Sequence, residues 1–285
     1  VSREDGSHVG LWYFDPYARE GKRSGAWMTT YRSQHKLGGK NRYVLASNNN
    51  NFVKGGEGQP TLISLDDAST LFHEFGHGLH HMLTQIDCAS VSGINGVAWD
   101  AVELPSQFLE NWCWEKEAIA IISGHYQTGE TLPDELLEKM LAARNFQSGM
   151  QMMRQIEFSL FDFSLHMQTD NSLSVQELLN QVREKTSVYP TPDFNRFQNS
   201  FSHIFAGGYS AGYYSYKWAE VLSADAYSRF EEGIFNPETG ASFLKEIISQ
   251  GGSREAGELF ENFRGRKPSV EPLLRHCGID VPEVA

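Results

Sequence analysis

His73-Glu74-Phe75-Gly76-His77 puts two imidazoles and a carboxylate within five residues. Histidines four apart on a helix lie one above the other, so both rings can reach one ion. Glu74, directly after the first histidine, is placed to hold and deprotonate the water that such an ion activates. This is the pattern that binds catalytic zinc. It fixes only three residues, so the surroundings must support it. Asp66, Asp67 and Ser69 are helix-start residues just upstream. Leu71, Phe72, Phe75, Leu79, Met82 and Leu83 recur at helical spacing and form an apolar stripe, with His73 and His77 off it. Gly76 and Gly78 each cost a helix about 1 kcal/mol relative to Ala, which points to something packed closely against them. His77 and His81 are also four apart, but only the His73/His77 pair encloses a glutamate. His80 and His81 therefore read as polar supporting residues.

A catalytic zinc usually takes three protein ligands and leaves one position open. The third should come from a later element, and Val102 to Trp112 is the best segment. Pro105 is tolerated in a first helical turn, which places Glu103 at or beside a helix N-terminus. An acid there could also serve only the helix dipole. Glu110, seven residues on, is either an acid that orients a ligand or a surface charge. Asp100 is a weaker competitor.

A second polar-aromatic segment runs from His203 through Gly207, Gly208, Tyr209, Tyr213 and Tyr214 to Tyr216. On a continuous helix, residues 209, 213 and 216 would share a face. Phenols can donate hydrogen bonds to a carbonyl oxygen that becomes an oxyanion. Ala206-Gly207-Gly208 reads as a mobile loop that lets backbone approach a peptide. Tyr213, in the same loop region, and Tyr214 read as packing residues.

These segments together resemble the thimet oligopeptidase family of zinc metallopeptidases. The matching residues are His73 to His77, Glu103-Leu-Pro-Ser-Gln-Phe-Leu-Glu-Asn-Trp112, and His203-Ile-Phe-Ala-Gly-Gly-Tyr209 through Tyr216. The resemblance runs from about Trp12 to Arg266. It implies that His73, His77 and Glu103 bind one Zn2+, that Glu74 is the general base, and that His203, Tyr209 and Tyr216 contact substrate and transition state. It further implies a zincin-like catalytic region and endopeptidase activity on short peptides. Members of that family are much longer, with a helical half before this region. The chain is therefore expected to be a C-terminal catalytic part whose partners are short peptides and a missing N-terminal half.

Composition frames this reading. The 285 residues, 40% hydrophobic and 21% charged, can bury a large core. A net charge of −12 argues against nucleic acid as a partner. No apolar run reaches the ~20 residues of a membrane span. Cys88, Cys113 and Cys277 are odd in number and widely spaced, which fits a reducing compartment and hence the cytoplasm.

The fold class expected is α+β, predominantly α-helical, with a small N-terminal β-sheet beside the zinc helix. Strands are expected at 9–14, 26–31, 43–47 and 61–65, with a turn starting at Asp15-Pro16 and a break at Asn48 to Asn51. Residues 1–122 would carry the sheet and the zinc helices, and 123–285 a helical part with the His/Tyr loop. Met150, Met152, Met153, Phe158, Phe161 and Phe163 read as core filling. Arg264 to Pro268 reads as a solvated basic turn.

Overall fold

A computed structural model describes residues 1–170 and 172–279. Three strands form the main sheet: β1 (Gly10–Tyr17), β2 (Trp27–Arg32) and, after a small hairpin, β5 (Val44–Phe52). The order is β1-β5-β2, with β1 parallel and β2 antiparallel to the central β5. The hairpin pairs β3 (His35–Leu37) with β4 (Lys40–Arg42). Its turn residues Gly38 and Gly39 both have positive φ, at +57° and +77°, which a tight two-residue turn demands.

The strands at 9–14, 26–31 and 43–47 are all present, but two run further than their sequence pattern suggests. β1 continues through Asp15 and Pro16 by a register shift between Asp15 and Tyr17. β5 continues through the asparagine run. Asn48 and Asn50 are fully buried there, and Trp12 Nε1 donates to Asn48 Oδ1 at 3.0 Å. Ladder hydrogen bonds from both neighbouring strands hold a stretch whose composition favours a turn. No strand forms at 61–65, which is an irregular lead into a helix.

That helix, α1 (Leu65–Met82), starts with a capping box. Ser64 Oγ accepts from Asp67 N, and Asp67 Oδ2 accepts from Ser64 N, each at 3.0 Å. Phe75, Leu79 and Met82 of α1 pack with Trp12, Met28, Val44 and Ala46 against one face of the sheet. On another side α1 meets α2 (Leu104–Glu110), which begins at Glu103 and carries Pro105 in its first turn. A 3-10 turn (Asn111–Trp114) leads on to α3 (Lys116–Ile122) and then α4 (Asp134–Ala143).

The helical remainder forms two further cores. α5 (Ser148–Met167), α6 (Val175–Thr186) and α7 (Ser202–Phe205) enclose Phe161, Leu179, Phe201 and Ile204. α8 (Ser215–Tyr227), α9 (Pro237–Phe243), a π-helical turn (Leu244–Ile248) and α10 (Ala256–Arg264) surround Phe108 of α2 with Leu222, Phe243 and Phe260. α11 (Glu271–His276) closes against α8.

Three expectations need correction here. The tyrosine helix starts only at Ser215, because Ala211 takes φ +54° and interrupts any helix from Tyr209. Met150 and Phe163 lie on exposed faces of α5 rather than in its core. The basic turn is not simply solvated. Arg264 Nε and Arg266 Nη2 reach Oδ1 of the fully buried Asp225 at 2.9 and 2.6 Å, and Ser269 N reaches Oδ2 at 2.7 Å. A buried carboxylate is stable only with such partners.

Gly76 is where the α1–α2 contact is tightest. A Cβ there would stand 2.5 Å from Pro105 O and 2.6 Å from Ser106 Cα, both backbone atoms of α2. Gly76→Ala should therefore push α2 away and cost about 1–3 kcal/mol, while also weakening metal binding. Gly149→Ala on α5, where nothing lies within 4 Å, should be neutral or stabilising by up to about 1 kcal/mol. Denaturant unfolding of both variants, with a zinc titration, checks the pair.

Candidate metal centre and cleft

α1 presents His73 and His77 side by side, their rings 5.0 Å apart and nearly perpendicular. α2 brings Glu103 against them. Glu103 Oε2 lies 3.2 Å from His73 Nε2 and 3.1 Å from His77 Nε2. Atoms held at 2.0–2.1 Å by a tetrahedral zinc lie roughly 3.3 Å from one another. The spacing and the donor set, two imidazole nitrogens and one carboxylate oxygen, both fit such an ion. Of the described residues, these three form the group able to hold a metal. Asp100, His80 and His81 are not part of it. Asp100 meets the Tyr214 hydroxyl at 3.5 Å. His81 packs against Gly93 and accepts from Ile94 N at 3.3 Å, while His80 lines a separate cavity with Pro105 and Ile247.

Two of the three candidate ligands, His73 and Glu103, are held from behind. His73 Nδ1 meets Glu110 Oε1 at 2.6 Å, and Ser69 Oγ donates to the other oxygen of Glu110 at 3.4 Å. Ser106 Oγ donates to Glu103 Oε2 at 2.9 Å. The Tyr209 hydroxyl donates to Glu103 Oε1. His77 Nδ1 is buried without a partner.

The charges follow from these contacts. Burial works against a charged His73, but Glu103 and Glu110 outweigh it and raise His73 to about 10. Burial would raise Glu103, yet His77 and His73 override it and hold the carboxyl well below its ordinary value. Burial raises Glu74, against the pull of the two imidazoles. Burial, then the nearby Glu103 carboxylate, pushes Tyr209 and Tyr216 far above an ordinary phenol, so both remain protonated. Burial lowers His203, which favours the neutral imidazole.

The centre opens on a cleft of about 970 Å³. His73, Glu74 and Glu110 line one side, Met150, Gln151 and Arg154 of α5 another, and His203, Tyr213 and Tyr216 also face it. Tyr209 stacks on Tyr216 at 4.8 Å and meets Trp99 at a 60° tilt with the rings 4.6 Å apart, and the His203 ring is 6.2 and 6.0 Å from the two tyrosines. These rings converge without sharing a helix: Tyr209 sits in the loop and Tyr216 in the first turn of α8. Gly208, at φ +88°, lies under the Trp99 ring, and a Cβ on Gly207 would meet His203 O at 2.9 Å. Tyr213 is mostly buried among Phe158 and Phe201, with its hydroxyl 3.2 Å from Gln155 Oε1.

Four residues near the centre were not singled out by the sequence reading: Ser106, Gln107, Trp99 and Asp162. Ser106 follows Glu103 by three positions across a helix start, which is a readable signal. Gln107 Nε2 donates to Tyr216 O at 3.0 Å, tying α2 to α8. Trp99 carries no local signal. Asp162 stands between two phenylalanines, and a charge inside an apolar run marks a buried partner.

Two outcomes follow for metal binding. Glu110→Gln should lower zinc affinity by about 10–100-fold while the fold persists, as measured with a competing chelator. A ligand imidazole must be neutral, whereas His73 at about 10 is protonated at neutral pH. Zinc uptake should therefore release a proton and tighten as pH rises toward 10. Calorimetry in buffers of differing ionisation enthalpy measures that release.

Comparisons with known proteins place the chain in a family. The chain is 57% identical to oligopeptidase A of Escherichia coli over 274 residues, which is 95% of this chain and 40% of that protein. It is 36% identical to dipeptidyl carboxypeptidase of the same organism, over 97% of this chain and 41% of that protein. The chain thus spans about two fifths of the length of these relatives. The solved structure of PZ peptidase A with inhibitor 2 superposes with a TM-score of 0.63 at 18% identity, covering 93% of this chain and 43% of that one, and so shares the fold. The family model described as peptidase family M3 matches residues 1–279. By that match and by its identity to these relatives, the chain belongs to peptidase family M3.

Proposed function

We propose that this chain carries the catalytic centre of a zinc endopeptidase that hydrolyses short oligopeptides. The observation that carries the reading is the convergence of His73 Nε2, His77 Nε2 and Glu103 Oε2 on one point, with Glu74 beside it on the cleft. Two imidazoles and a carboxylate suit zinc, although manganese and cobalt accept similar donors. Bound there, zinc supplies Lewis acidity toward a carbonyl and a lowered pKa for a water.

The chain's own residues do the rest. Glu74, raised by burial toward the working pH, takes the proton of the attacking water and passes it to the leaving amine. Tyr209 and Tyr216, kept protonated, donate to the carbonyl oxygen as negative charge develops on it. His203, a neutral donor on the cleft, assists them. Each such donor is worth about 3–4 kcal/mol in the transition state. Glu110 orients His73, and Gly207 and Gly208 let the loop meet a peptide backbone.

The cleft wall is mixed: Gln107, Gln151 and Gln155 offer hydrogen bonds to a peptide main chain, and Met150 and Val188 offer apolar surface to its side chains. Because the relatives are longer, a further part of the protein is proposed to complete the cleft and limit substrates to short peptides. Three unpaired cysteines support a cytoplasmic setting. Among the described residues, no helix is long and apolar enough to cross a membrane.

A second reading, release of dipeptides from one end of a substrate, is favoured by the identity to dipeptidyl carboxypeptidase. Product lengths from a ten-residue peptide separate the two. Internal cuts support the endopeptidase, and stepwise dipeptides support the alternative.

Glu74→Gln is the decisive variant. It should retain zinc and lose about 10²–10⁴-fold in turnover of a quenched fluorescent peptide. Normal turnover would refute Glu74 as the base.

A further inference from the structure

The segment that carries Tyr209 is held by one side chain that does not face the cleft. Asp162, on α5, has no exposed surface. Its Oδ1 accepts from Ala211 N and its Oδ2 from Tyr213 N, each at 2.9 Å, and His166 Nδ1 stands 3.0 Å from Oδ1. Ala211 adopts φ +54°, and a left-handed residue between ordinary ones turns neighbouring amides to one side, a concave arrangement suited to an anion. The backbone here is thus bent around a carboxylate.

The other end of the segment is held against α7, where Ser210 Oγ donates to Ile204 O. Gly207 and Gly208 join it to α7, with Gly208 at φ +88°. Between these ends, Tyr209 is fixed by its N–H to His203 O at 3.0 Å and by its hydroxyl to Glu103. Tyr209 lies two residues before Ala211, and Tyr216 three residues after Tyr213. The buried carboxylate therefore fixes the turn two residues after Tyr209, while Tyr216 is also tied to α2 through Gln107.

We propose that Asp162 is a positioning residue for peptide hydrolysis: its carboxylate anchors the Ala211–Tyr213 turn and so fixes where the Tyr209 hydroxyl stands over Glu103. This rests on the reading of Tyr209 as a donor to the substrate. Asp162 touches neither the cleft nor the ligands, so it acts through the turn. Asp162→Asn keeps the shape but sets an NH₂ against one of the two backbone N–H groups, which breaks one anchor bond.

The test uses the full-length, zinc-loaded enzyme and three variants: Tyr209→Phe, Asp162→Asn and the double substitution. Tyr209→Phe and Asp162→Asn should each lower kcat by about 10²-fold, with KM changed less than about threefold. The double variant should be no slower than Tyr209→Phe, since both changes remove one placed hydroxyl. Zinc affinity should fall by a similar factor in Tyr209→Phe and Asp162→Asn, since both loosen the Tyr209 bond to Glu103 Oε1, and no further in the double variant. Hydrogen exchange should show the 209–214 amides protected in the wild type and released in Asp162→Asn, with α1 unaffected. An impaired Tyr209→Phe beside a normal Asp162→Asn, or fully additive losses, would overturn the anchor alone. An inert Tyr209→Phe would overturn the donor reading, and the positioning role with it. Should Asp162→Asn fail to fold, the wild-type exchange decides: unprotected amides at 211 and 213 sink the proposal, and protected ones sustain it.

Discussion

The backbone of α2 rests on the backbone of α1 at Gly76, and the candidate metal centre depends on that contact. With any side chain at 76, Pro105 and Ser106 would have to retreat. Glu103, immediately before them, would retreat too, and its 3.1 and 3.2 Å approaches to the two imidazoles would open. The capping box at Ser64 and the sheet under Phe75 and Leu79 fix α1, while the aromatic cluster around Phe108 fixes α2. A glycine that weakens the helix locally is thus what allows the centre to be built between two helices.

Buried acids organise the rest of the molecule. Glu103, Glu157, Asp162 and Asp225 are each at most 1% exposed, and each is held by hydrogen-bonding or charged partners. Glu157 takes Arg154 and Arg183, Asp225 takes Arg264 and Arg266, and Asp162 takes two backbone amides and His166. Removing one partner of such a group typically costs 3–5 kcal/mol. Glu103 differs in kind, since its partners are imidazoles that can exchange a proton for a metal. Buried carboxylates therefore serve as structure in three places and line a candidate metal site in one.

The sequence revealed what local rules govern. The His-Glu-x-x-His helix, the Pro105 helix start behind Glu103, and the strands at 9–14, 26–31 and 43–47 rest on spacing and propensity. Tertiary partners decided the remainder. Asn48 to Asn51 read as a break because asparagine alone favours turns, yet Trp12, Trp27 and the ladder on both sides keep them extended. The tyrosines read as one helical face, but Ala211 is bent by a carboxylate fifty residues earlier, and no local pattern encodes that. Arg264 and Arg266 read as solvated because Asp225 is distant in sequence. Tyr209 and Tyr216 do lie together, but by stacking between a loop and a helix start rather than on one helical face.

The clamp on Asp225 has a mechanical consequence. α8 carries Tyr216 near its first turn and Asp225 near its last, nine residues away, or roughly 13.5 Å along the axis. A helix of this length behaves as a stiff lever. Gln107 grips the Tyr216 end, and the arginines of the 264–266 turn grip the other. Tilting the lever by about 5° from the distal grip swings Tyr216 by roughly 1.2 Å. Displacements of that size at a reacting centre can cost about a hundredfold in rate. The basic turn, remote from the candidate metal centre and outside the cleft, thus helps to set where the Tyr216 ring stands.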